Sequence, residues 1–301
     1  MEMEIKNVTK EFNGSIAVND FSMEVHAGEC IGLVGPNGAG KTTLMKIISD
    51  IMNPTKGDVL LNGQKISEMK KEMGYLPQYP TFYEWLTAKE TLYFMGQLSG
   101  INKDGLFKIV PNILEKVGLS EAEDSGVGTF SGGMKQRLGI AQALLHQPSL
   151  IVMDEPVSSL DPIGRREVLN IINEIRQETT ILLSTHILGD IEEICDRLVM
   201  IKHGRKIEDT TMAELLNRYS NNKIRIDIAD HSRGWIEVVK KLDYVRNVEV
   251  TGNQLKIEVK KIDVHKNMLL RNALKHNVNL LKFEIYKDTL EEIFLKRVME
   301  Q

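Results

Sequence analysis

The chain has 301 residues, enough for two domains of about 150 residues each, and contains 42% hydrophobic and 27% charged residues. This balance is typical of a protein that folds in water and excludes disordered, collagen-like and coiled-coil classes; we expect neither a membrane span nor a signal peptide. The net charge of −4 disfavours nucleic-acid binding, which generally needs a basic surface.

The first forty residues alternate β-rich runs with turn signals. We predict strands over Met3–Val8, Ala17–Val25 and Cys30–Val34, separated by Asn-Gly and Ala-Gly turns. The first two strands form an antiparallel lead-in, whereas the third is apolar throughout, as in a strand buried on both faces of a sheet. A helix follows, because the apolar residues after Lys41 recur with helical spacing.

Three later apolar runs predict further strands, at Leu150–Met153, Thr180–Leu183 and Leu198–Ile201. Amphipathic segments separate them, and strands that alternate with helices indicate an α/β fold with a parallel sheet covered on both faces. Between about residues 87 and 147 the period is helical instead, which predicts a helical subdomain. The expected breaks in it are Gly100, Pro111, Gly118 and the glycines near Ser131.

A polar run, Tyr219–Asn222, separates the main domain, residues 1–222, from an accessory module, residues 223–301. The module carries 16 basic and 12 acidic residues, a net charge of +4 against −8 for residues 1–222. Its pattern predicts a small α+β module of the split βαβ kind. No ligand constellation appears in it, so dimerisation, regulation, partner contact and a purely structural role all stay open. Its predicted elements are strands at Ile224–Ile228, around Gly252-Asn253 and at Leu280–Tyr286, and helices at Trp235–Leu242, Val264–Lys275 and Leu290–Met299.

Two cysteines, Cys30 and Cys195, stand far apart in the sequence and inside apolar runs. We interpret both as small buried hydrophobic residues of a reducing compartment. The sequence therefore predicts neither a disulfide nor a cysteine metal site.

A glycine-rich segment lies between the predicted strand Cys30–Val34 and the helix after it. Residues 35–42 read Gly-Pro-Asn-Gly-Ala-Gly-Lys-Thr and match the P-loop pattern G-x-x-x-x-G-K-[ST]. In this context consecutive backbone N–H groups and the positive end of a helix dipole hold a polyphosphate. We predict that Lys41 reaches the β and γ phosphates, that Thr42 ligates Mg²⁺ and that Thr43 approaches the α phosphate. The predicted nucleotide-binding set is Gly35, Pro36, Asn37, Gly38, Ala39, Gly40, Lys41, Thr42 and Thr43.

The apolar run Leu150–Met153 ends in two carboxylates, Asp154 and Glu155. Side chains at the carboxyl edge of a parallel sheet face the ligand crevice. Because adjacent residues of an extended strand point to opposite sides, the two acids cannot do the same job. We assign Asp154 to Mg²⁺ through water, and Glu155 to the attacking water as general base or positioner.

Residues 129–137 read Thr-Phe-Ser-Gly-Gly-Met-Lys-Gln-Arg. Ser131 is a good helix N-cap, and the two glycines leave bare N–H groups that form a second phosphate site. The segment resembles the LSGGQ signature of ABC-type ATPases, with Phe and Met at two positions where Leu and Gln are commonest, and Gly133 stands 22 residues before Glu155. The resemblance implies that Ser131, Gly132 and Gly133 of one subunit cover ATP bound to another, so we predict a dimer.

Four further positions match motifs of that family. The resemblance assigns Gln78 to Mg²⁺ or water and to sensing a transmembrane partner, Asp161 to the opposite subunit and His186 to the γ phosphate. It places Phe12 where a ring stacks on adenine. Taken alone, each has an ordinary structural explanation, such as a helix cap for Asp161. The predicted catalytic residues are Glu155, His186 and Gln78, the metal residues are Thr42, Gln78 and Asp154, and the cofactors are ATP and Mg²⁺.

The resemblance covers residues 1 to about 216 and implies a P-loop α/β cassette with a helical subdomain at about 87–147. It implies that a dimer, of identical or related chains, hydrolyses Mg·ATP to power a separate permease subunit on the inner face of the cell membrane. The helical stretch 86–92, the signature and the extra module favour bacterial exporters of drugs, bacteriocins, sodium or glycans. The alternative is a soluble, non-transport ABC ATPase with a regulatory or sensing role.

Four aromatic residues cluster just after Gln78: Tyr79, Phe82, Tyr83 and Trp85. Exposed aromatic rings are favoured anchors at interfaces. We therefore predict that residues 78–86 form the surface that contacts the membrane subunit. The alternative is that these rings pack against the helical subdomain.

Overall fold

The computed structural model describes residues 1–219, 222–229, 233–286 and 288–299. The chain forms two compact units, Met1–Met212 and Ala213–Gln301. The middle of the polar run that the sequence places between its two domains, residues 220–221, lies outside the described residues. The longest described helices have 14 residues, so within the described ranges no helix reaches the about 20 residues that a bilayer requires.

The first unit combines two sheets with helices. Its strands are β1 (Glu2–Phe12), β2 (Ser15–His26), β3 (Cys30–Val34), β4 (Lys56–Leu61), β5 (Gln64–Lys65), β6 (Met73–Leu76), β7 (Leu150–Asp154), β8 (Thr180–Thr185), β9 (Arg197–Lys202) and β10 (Arg205–Thr211). Its helices are α1 (Lys41–Ile48), α2 (Ala88–Leu98), α3 (Lys103–Lys116), α4 (Gly132–Leu144), α5 (Pro162–Ile175) and α6 (Leu188–Ile194), and α7 (Met212–Tyr219) begins at the boundary between the units.

The smaller sheet has the order β2-β1-β4-β5. β1 pairs antiparallel with β2, as predicted, and also with β4, a strand that the sequence analysis did not predict. The larger sheet has the order β10-β9-β3-β8-β7-β6 and is parallel except for β10. One buried apolar cluster joins α1 to strands of both sheets. Because β3, β8 and β7 are neighbours with the same direction, the segments that follow them meet at one edge.

The helical subdomain is confirmed in α2 to α4, but one of its predicted breaks is wrong. Gly100 and Gly118 follow the ends of α2 and α3 with φ of 82° and 65°. Pro111 instead lies inside α3, where its ring removes the N–H that would bond the carbonyl of Phe107. Pro111 and Phe107 are both exposed, so water can bond that carbonyl and the helix continues.

The two cysteines are buried, as predicted, and both are free thiols. Although they are far apart in the sequence, the fold places the Sγ atom of Cys30 3.8 Å from that of Cys195. Cys30 opens β3 and Cys195 follows α6, so the contact joins a central strand to a covering helix.

The second unit has the predicted α+β architecture. Its sheet has the order β12-β13-β11-β14 with all pairs antiparallel, and helices separate β11 from β12 and β13 from β14. Its core includes Ile224, Trp235, Val239 and Leu269. Its elements are β11 (Lys223–Ile228), α8 (Arg233–Lys240), β12 (Val245–Thr251), β13 (Gln254–Val259), α9 (Ile262–Lys275), β14 (Leu280–Tyr286) and α10 (Leu290–Met299).

Candidate nucleotide-binding site

The P-loop runs from β3 to α1, and close backbone packing fixes its shape. A Cβ atom at Gly35 would stand 2.3 Å from the carbonyl oxygen of Ile201, and one at Gly40 would stand 2.3 Å from that of Ala17. Gly40 also has φ of 104°. Glycine is therefore required at both positions. The loop ends at the N-terminus of α1, where backbone N–H groups and the helix dipole favour an anion.

Lys41 begins α1 and points back into the loop. Its Nζ atom donates to the carbonyl of Gly35 at 2.8 Å and lies 3.7 Å from Oε1 of Glu155. Both charged side chains are buried. A cleft of about 250 Å³ opens beside them. It is lined by Ala17, Asn37, Gly38, Ala39, Gly40, Lys41, Thr42, Thr43, Gln78 and Glu155, which include most of the predicted nucleotide-binding residues.

Asp154 closes β7 and is buried at the base of the site. Its Oδ1 atom accepts hydrogen bonds from the hydroxyl groups of Ser184, at 2.7 Å, and Thr42, at 3.3 Å. Hydroxyl and carboxylate oxygens suit Mg²⁺, which proteins usually hold with one or two carboxylates plus substrate phosphates. This donor set fits that ion. Within the described ranges, no cluster of three or more His, Cys, Asp or Glu could hold a metal by itself.

Tyr75 of β6 lies beside this acid. Burial and the charge of Asp154 raise the pKa of the Tyr75 phenol to about 12. The phenol therefore stays neutral at physiological pH and adds no charge to the site, and within the described residues its hydroxyl has no hydrogen-bond partner.

Glu155 contacts a second predicted residue, because its Oε2 atom lies 2.7 Å from Nδ1 of His186. The side chains of Asp154 and Glu155 contact different neighbours, but strand alternation, the reason expected from the sequence, is not the cause. Glu155 is not extended, since its φ is 50° and β7 ends one residue earlier. Its N–H group donates to the hydroxyl of Ser184 at 3.0 Å and to the carbonyl of Ser184 at 3.1 Å. The turn at Glu155, rather than strand alternation, directs the carboxylate.

Gln78 joins the same site, as one of the residues that line the cleft with Glu155. Its Nε2 atom donates to the hydroxyl of Ser158 at 3.4 Å. The sequence predictions missed Ser158 and Ser184. Ser184 could have been noticed as a polar residue in an apolar strand, but only the pairing of β7 with β8 shows that it lies opposite Asp154.

The signature segment forms the predicted helix start. The hydroxyl of Ser131 accepts the N–H of Met134 at 3.2 Å and caps α4. A Cβ atom at Gly133 would stand 3.7 Å from the Cα atom of Gly164, so the start of α4 lies against the start of α5. Gly132 lines a second cleft, of about 140 Å³.

Asp161 has the structural role that the sequence allowed. Its Oδ1 atom accepts the N–H of Gly164 at 2.9 Å, so it caps α5. Phe12, at the end of β1, is not among the residues that line the P-loop cleft. Its ring is 43% exposed, and Nζ of Lys10 lies 5.1 Å from the ring centroid. The contacts of Phe12 and Asp161 with nucleotide or partner subunit stay predictions.

Comparison with known proteins places these features in one family. Residues 18–158 match the ABC transporter family, and residues 211–298 match the family described as ATP-binding protein DrrA1-3-like, C-terminal domain. The ABC transporter ATP-binding protein YxlF of Bacillus subtilis is 39% identical over 297 residues, covering 98% of this chain and 99% of YxlF. The linearmycin resistance ATP-binding protein LnrL of the same species is 32% identical over 301 residues, covering 97% of each chain.

A solved ATP-binding subunit of an ABC transporter is similar with a TM-score of 0.65 and 31% identity, over 73% of this chain and 93% of that one. An ATP-binding cassette in its ADP conformation gives a TM-score of 0.64 at 25% identity, over 71% and 92%. The P-loop cleft, the acidic pair and these similarities agree. The chain therefore belongs to the ATP-binding subunits of ABC transporters, and it is an ATPase.

Proposed function

We propose that two cassettes hydrolyse Mg·ATP at composite sites and that this reaction powers export by a separate membrane subunit. The observation that carries the proposal is that Glu155, which lines the P-loop cleft, contacts both Lys41 and His186. These three residues lie in the segments that follow three adjacent strands, β3, β7 and β8. They supply a cation for phosphate, a carboxylate for water and an imidazole that contacts this carboxylate.

Each residue then has a distinct task. The backbone of residues 35–40 and Lys41 hold the phosphates, Thr43 approaches the α phosphate and Phe12 supports the adenine. Thr42, Gln78 and, through water, Asp154 would hold Mg²⁺, which would neutralise phosphate charge. Glu155 orients the attacking water and accepts its proton.

His186 faces two acceptors. Its Nδ1 atom lies against the Glu155 carboxylate, and Nε2 is the nitrogen left to contact the γ phosphate. A ring nitrogen that carries a proton can donate a hydrogen bond to that phosphate.

The start of α4 supplies the second phosphate site. Ser131 caps this helix, and Gly132 and Gly133 leave its first turn without side-chain obstruction. One P-loop already surrounds the triphosphate of its own protomer. We propose that Ser131, Gly132 and Gly133 cover the nucleotide of the second cassette, and that Asp161 lies at the same interface.

Export by a membrane subunit is favoured by the names of the relatives. Among them are a linearmycin resistance protein, a bacitracin transport protein of Bacillus licheniformis and a Nod factor export protein of Rhizobium. We propose that this chain likewise acts on the inner face of the membrane through a permease partner.

The aromatic cluster supplies the proposed contact with that partner. Tyr79 and Trp85 are 65% and 75% exposed. The rings of Tyr83 and Trp85 are tilted by 37° with centroids 4.8 Å apart, and Tyr83 meets Phe94 of α2 edge-on at 5.9 Å. The helical subdomain therefore contacts Tyr83, while Tyr79 and Trp85 are exposed and Phe82 is half-buried.

Transport can be tested with inverted membrane vesicles that contain the co-isolated membrane subunit. Bacitracin is the cargo probe, because a relative is named for its transport. The proposal predicts ATP hydrolysis by the purified chain, a changed rate with vesicles, and ATP-dependent accumulation of cargo inside them. Coupling to transport would be contradicted if no membrane subunit co-isolates with the chain and the rate of ATP hydrolysis is the same with and without vesicles.

A further inference from the structure

An ion pair between a partly exposed arginine and a buried aspartate joins the two helices that follow the catalytic segments. Nε of Arg165, in α5, donates to Oδ1 of Asp190, in α6, at 3.0 Å, and Nη2 contacts the same oxygen. The Asp190 side chain is 3% exposed. Aspartate is rarely buried to this extent, and a partner is the usual reason when it is.

Asp190 of this pair lies close in the sequence to His186, the residue proposed to contact the γ phosphate. His186 stands two residues before α6, and the hydroxyl of Thr185 accepts the N–H of Ile187 at 3.0 Å. The N–H of Asp190 in turn donates to the carbonyl of Ile187 at 3.2 Å. Asp190 thus closes the turn that begins at Ile187, the residue directly after His186. Burial raises the pKa of Asp190, while Arg165 and the nearby His186 act in the opposite direction.

The other helix of the pair starts at a predicted contact with the second cassette. Asp161 caps α5, and Arg165 stands in the first turn after it. The pair therefore connects the start of α5 directly to the segment that holds His186.

Joining α5 to α6 does not by itself require a buried charge pair. The same helices are joined by Arg166 and Glu193, whose Nη1 and Oε1 atoms are 2.6 Å apart at the surface. Replacing a buried ion pair by apolar side chains often leaves stability unchanged or raises it. Two Arg165 donors converge on the single Oδ1 atom of Asp190, while its buried Oδ2 atom has no hydrogen-bond partner within the described residues. Hydrogen bonds between charged groups are directional, so this contact fixes orientation more strictly than apolar packing does.

We propose that Arg165 and Asp190 are positioning residues. They hold residues 186–190 in place, so that His186 stays against Glu155. This inference rests on the proposed roles of His186 and Glu155. Neither Arg165 nor Asp190 contacts the reacting atoms. Their effect reaches the chemistry through the 2.7 Å contact between Nδ1 of His186 and Oε2 of Glu155.

The first test compares Asp190→Asn with Glu193→Gln, which removes the charge of the neighbouring surface pair. Misplacing a reacting group costs about 10- to 100-fold, so Asp190→Asn should lower kcat by that factor. The KM for ATP should stay within about two-fold, because the P-loop is untouched. Glu193→Gln should leave kcat unchanged. An unchanged kcat in Asp190→Asn, or an equal loss in both variants, would overturn the inference.

The second test asks whether the effect passes through His186. If it does, adding Asp190→Asn to His186→Ala should lower single-turnover hydrolysis by less than about two-fold, since residues that act as a unit are not additive. If the fold-losses of Asp190→Asn and His186→Ala multiply in the double variant, the positioning role is overturned. Asp190→Glu keeps the charge and should recover part of the kcat lost in Asp190→Asn; a Glu variant that folds, binds one ATP and recovers nothing would also count against the pair.

Failure of the inference and failure of the proposed function give different results in this assay. Glu155→Gln is measured in parallel. If Glu155→Gln hydrolyses ATP at the wild-type rate, the proposed role of Glu155 in hydrolysis is refuted. If hydrolysis stops in Glu155→Gln but is normal in Asp190→Asn, only the positioning role of Arg165 and Asp190 is refuted.

Discussion

Nδ1 of His186 lies 2.7 Å from Oε2 of Glu155, although the two residues are 31 positions apart in the sequence. They meet because they follow β8 and β7, which are paired in parallel. The histidine restrains a buried carboxylate that also lies 3.7 Å from the Lys41 ammonium. A carboxylate held between two cationic or donating groups is positioned to orient water beside a phosphate.

Replacing Glu155 by glutamine should abolish turnover and spare binding. Glu155→Gln keeps the shape of the side chain but cannot accept a proton, and a positioned base typically contributes about 10²- to 10⁴-fold. We expect kcat to fall by that factor while equilibrium ATP binding stays within a few-fold. Glu174→Gln, on the exposed side of α5, is the control. Turnover in Glu155→Gln within a few-fold of wild type would remove Glu155 from this role.

Removing the hydroxyl of Ser184 should raise the Mg²⁺ requirement. This group donates to Oδ1 of Asp154 and accepts the N–H of Glu155, so it orients both acids. Outer-shell partners of this kind typically change metal affinity or activity by about 10- to 100-fold. In Ser184→Ala we expect the Mg²⁺ concentration for half-maximal hydrolysis to rise, with ATP binding in EDTA unchanged. Ser149→Ala, which removes a hydroxyl from the surface near Glu72, should behave as wild type.

Trimming the exposed aromatic cluster should uncouple the chain from its membrane partner. The double variant Phe82→Ala and Trp85→Ala removes two rings near the predicted contact while leaving the P-loop cleft intact. We expect co-purification with the membrane subunit to be lost and hydrolysis by the isolated chain to be kept. Phe107→Ala removes a ring of α3 that is 66% exposed and serves as the control. Unaltered co-purification of the double variant would exclude this coupling surface.

The second unit should carry a pH-dependent contribution from Glu292. Burial raises the pKa of this carboxyl, but hydrogen bonds from Lys256, Tyr286 and the N–H of Thr289 outweigh that effect and lower it from 4.5 to about 2. Because the folded pKa lies below the unfolded one, the stabilisation is present above pH 4.5 and is lost as the pH falls toward 2.

At pH 7, Glu292→Gln should therefore unfold at a lower urea concentration than wild type. The difference between the two urea midpoints should be smaller at pH 3. Glu291→Gln, at the exposed neighbouring position, should show no such narrowing. A difference between Glu292→Gln and wild type that stays constant across this range would show that the ionised Glu292 does not stabilise the fold.

Much of the fold and the centre of the site could be predicted because their signals are continuous in the sequence. The P-loop occupies adjacent residues, and β3, β7 and β8 each contain an uninterrupted apolar run. Contacts that depend on register or helix packing have no such signal. Ser184 meets Asp154 only through strand pairing, and Arg165 meets Asp190 only because α5 packs on α6.

Two local rules also failed for physical reasons. Pro111 was expected to break a helix, yet an exposed proline leaves its unbonded carbonyl to water. Glu155 was expected to continue a strand, yet its left-handed backbone, with φ of 50°, turns it toward His186. Such a conformation is uncommon outside glycine and often accompanies a functional constraint.

The central claim is that each cassette completes the site of the other, and a mixing experiment tests it most directly. Lys41→Ala disables the P-loop. Gly133→Asp places a carboxylate at the signature, and a Cβ atom there would make only ordinary contacts, so this variant should fold. Gly133→Ala is the matched control and should hydrolyse ATP.

Each disabled variant alone should be inactive, because both sites of its dimer are defective. An equal mixture should recover up to about a quarter of the wild-type rate, since half of the dimers then contain one intact site. Full activity of Gly133→Asp alone, or no recovery in the mixture, would contradict hydrolysis at a shared interface.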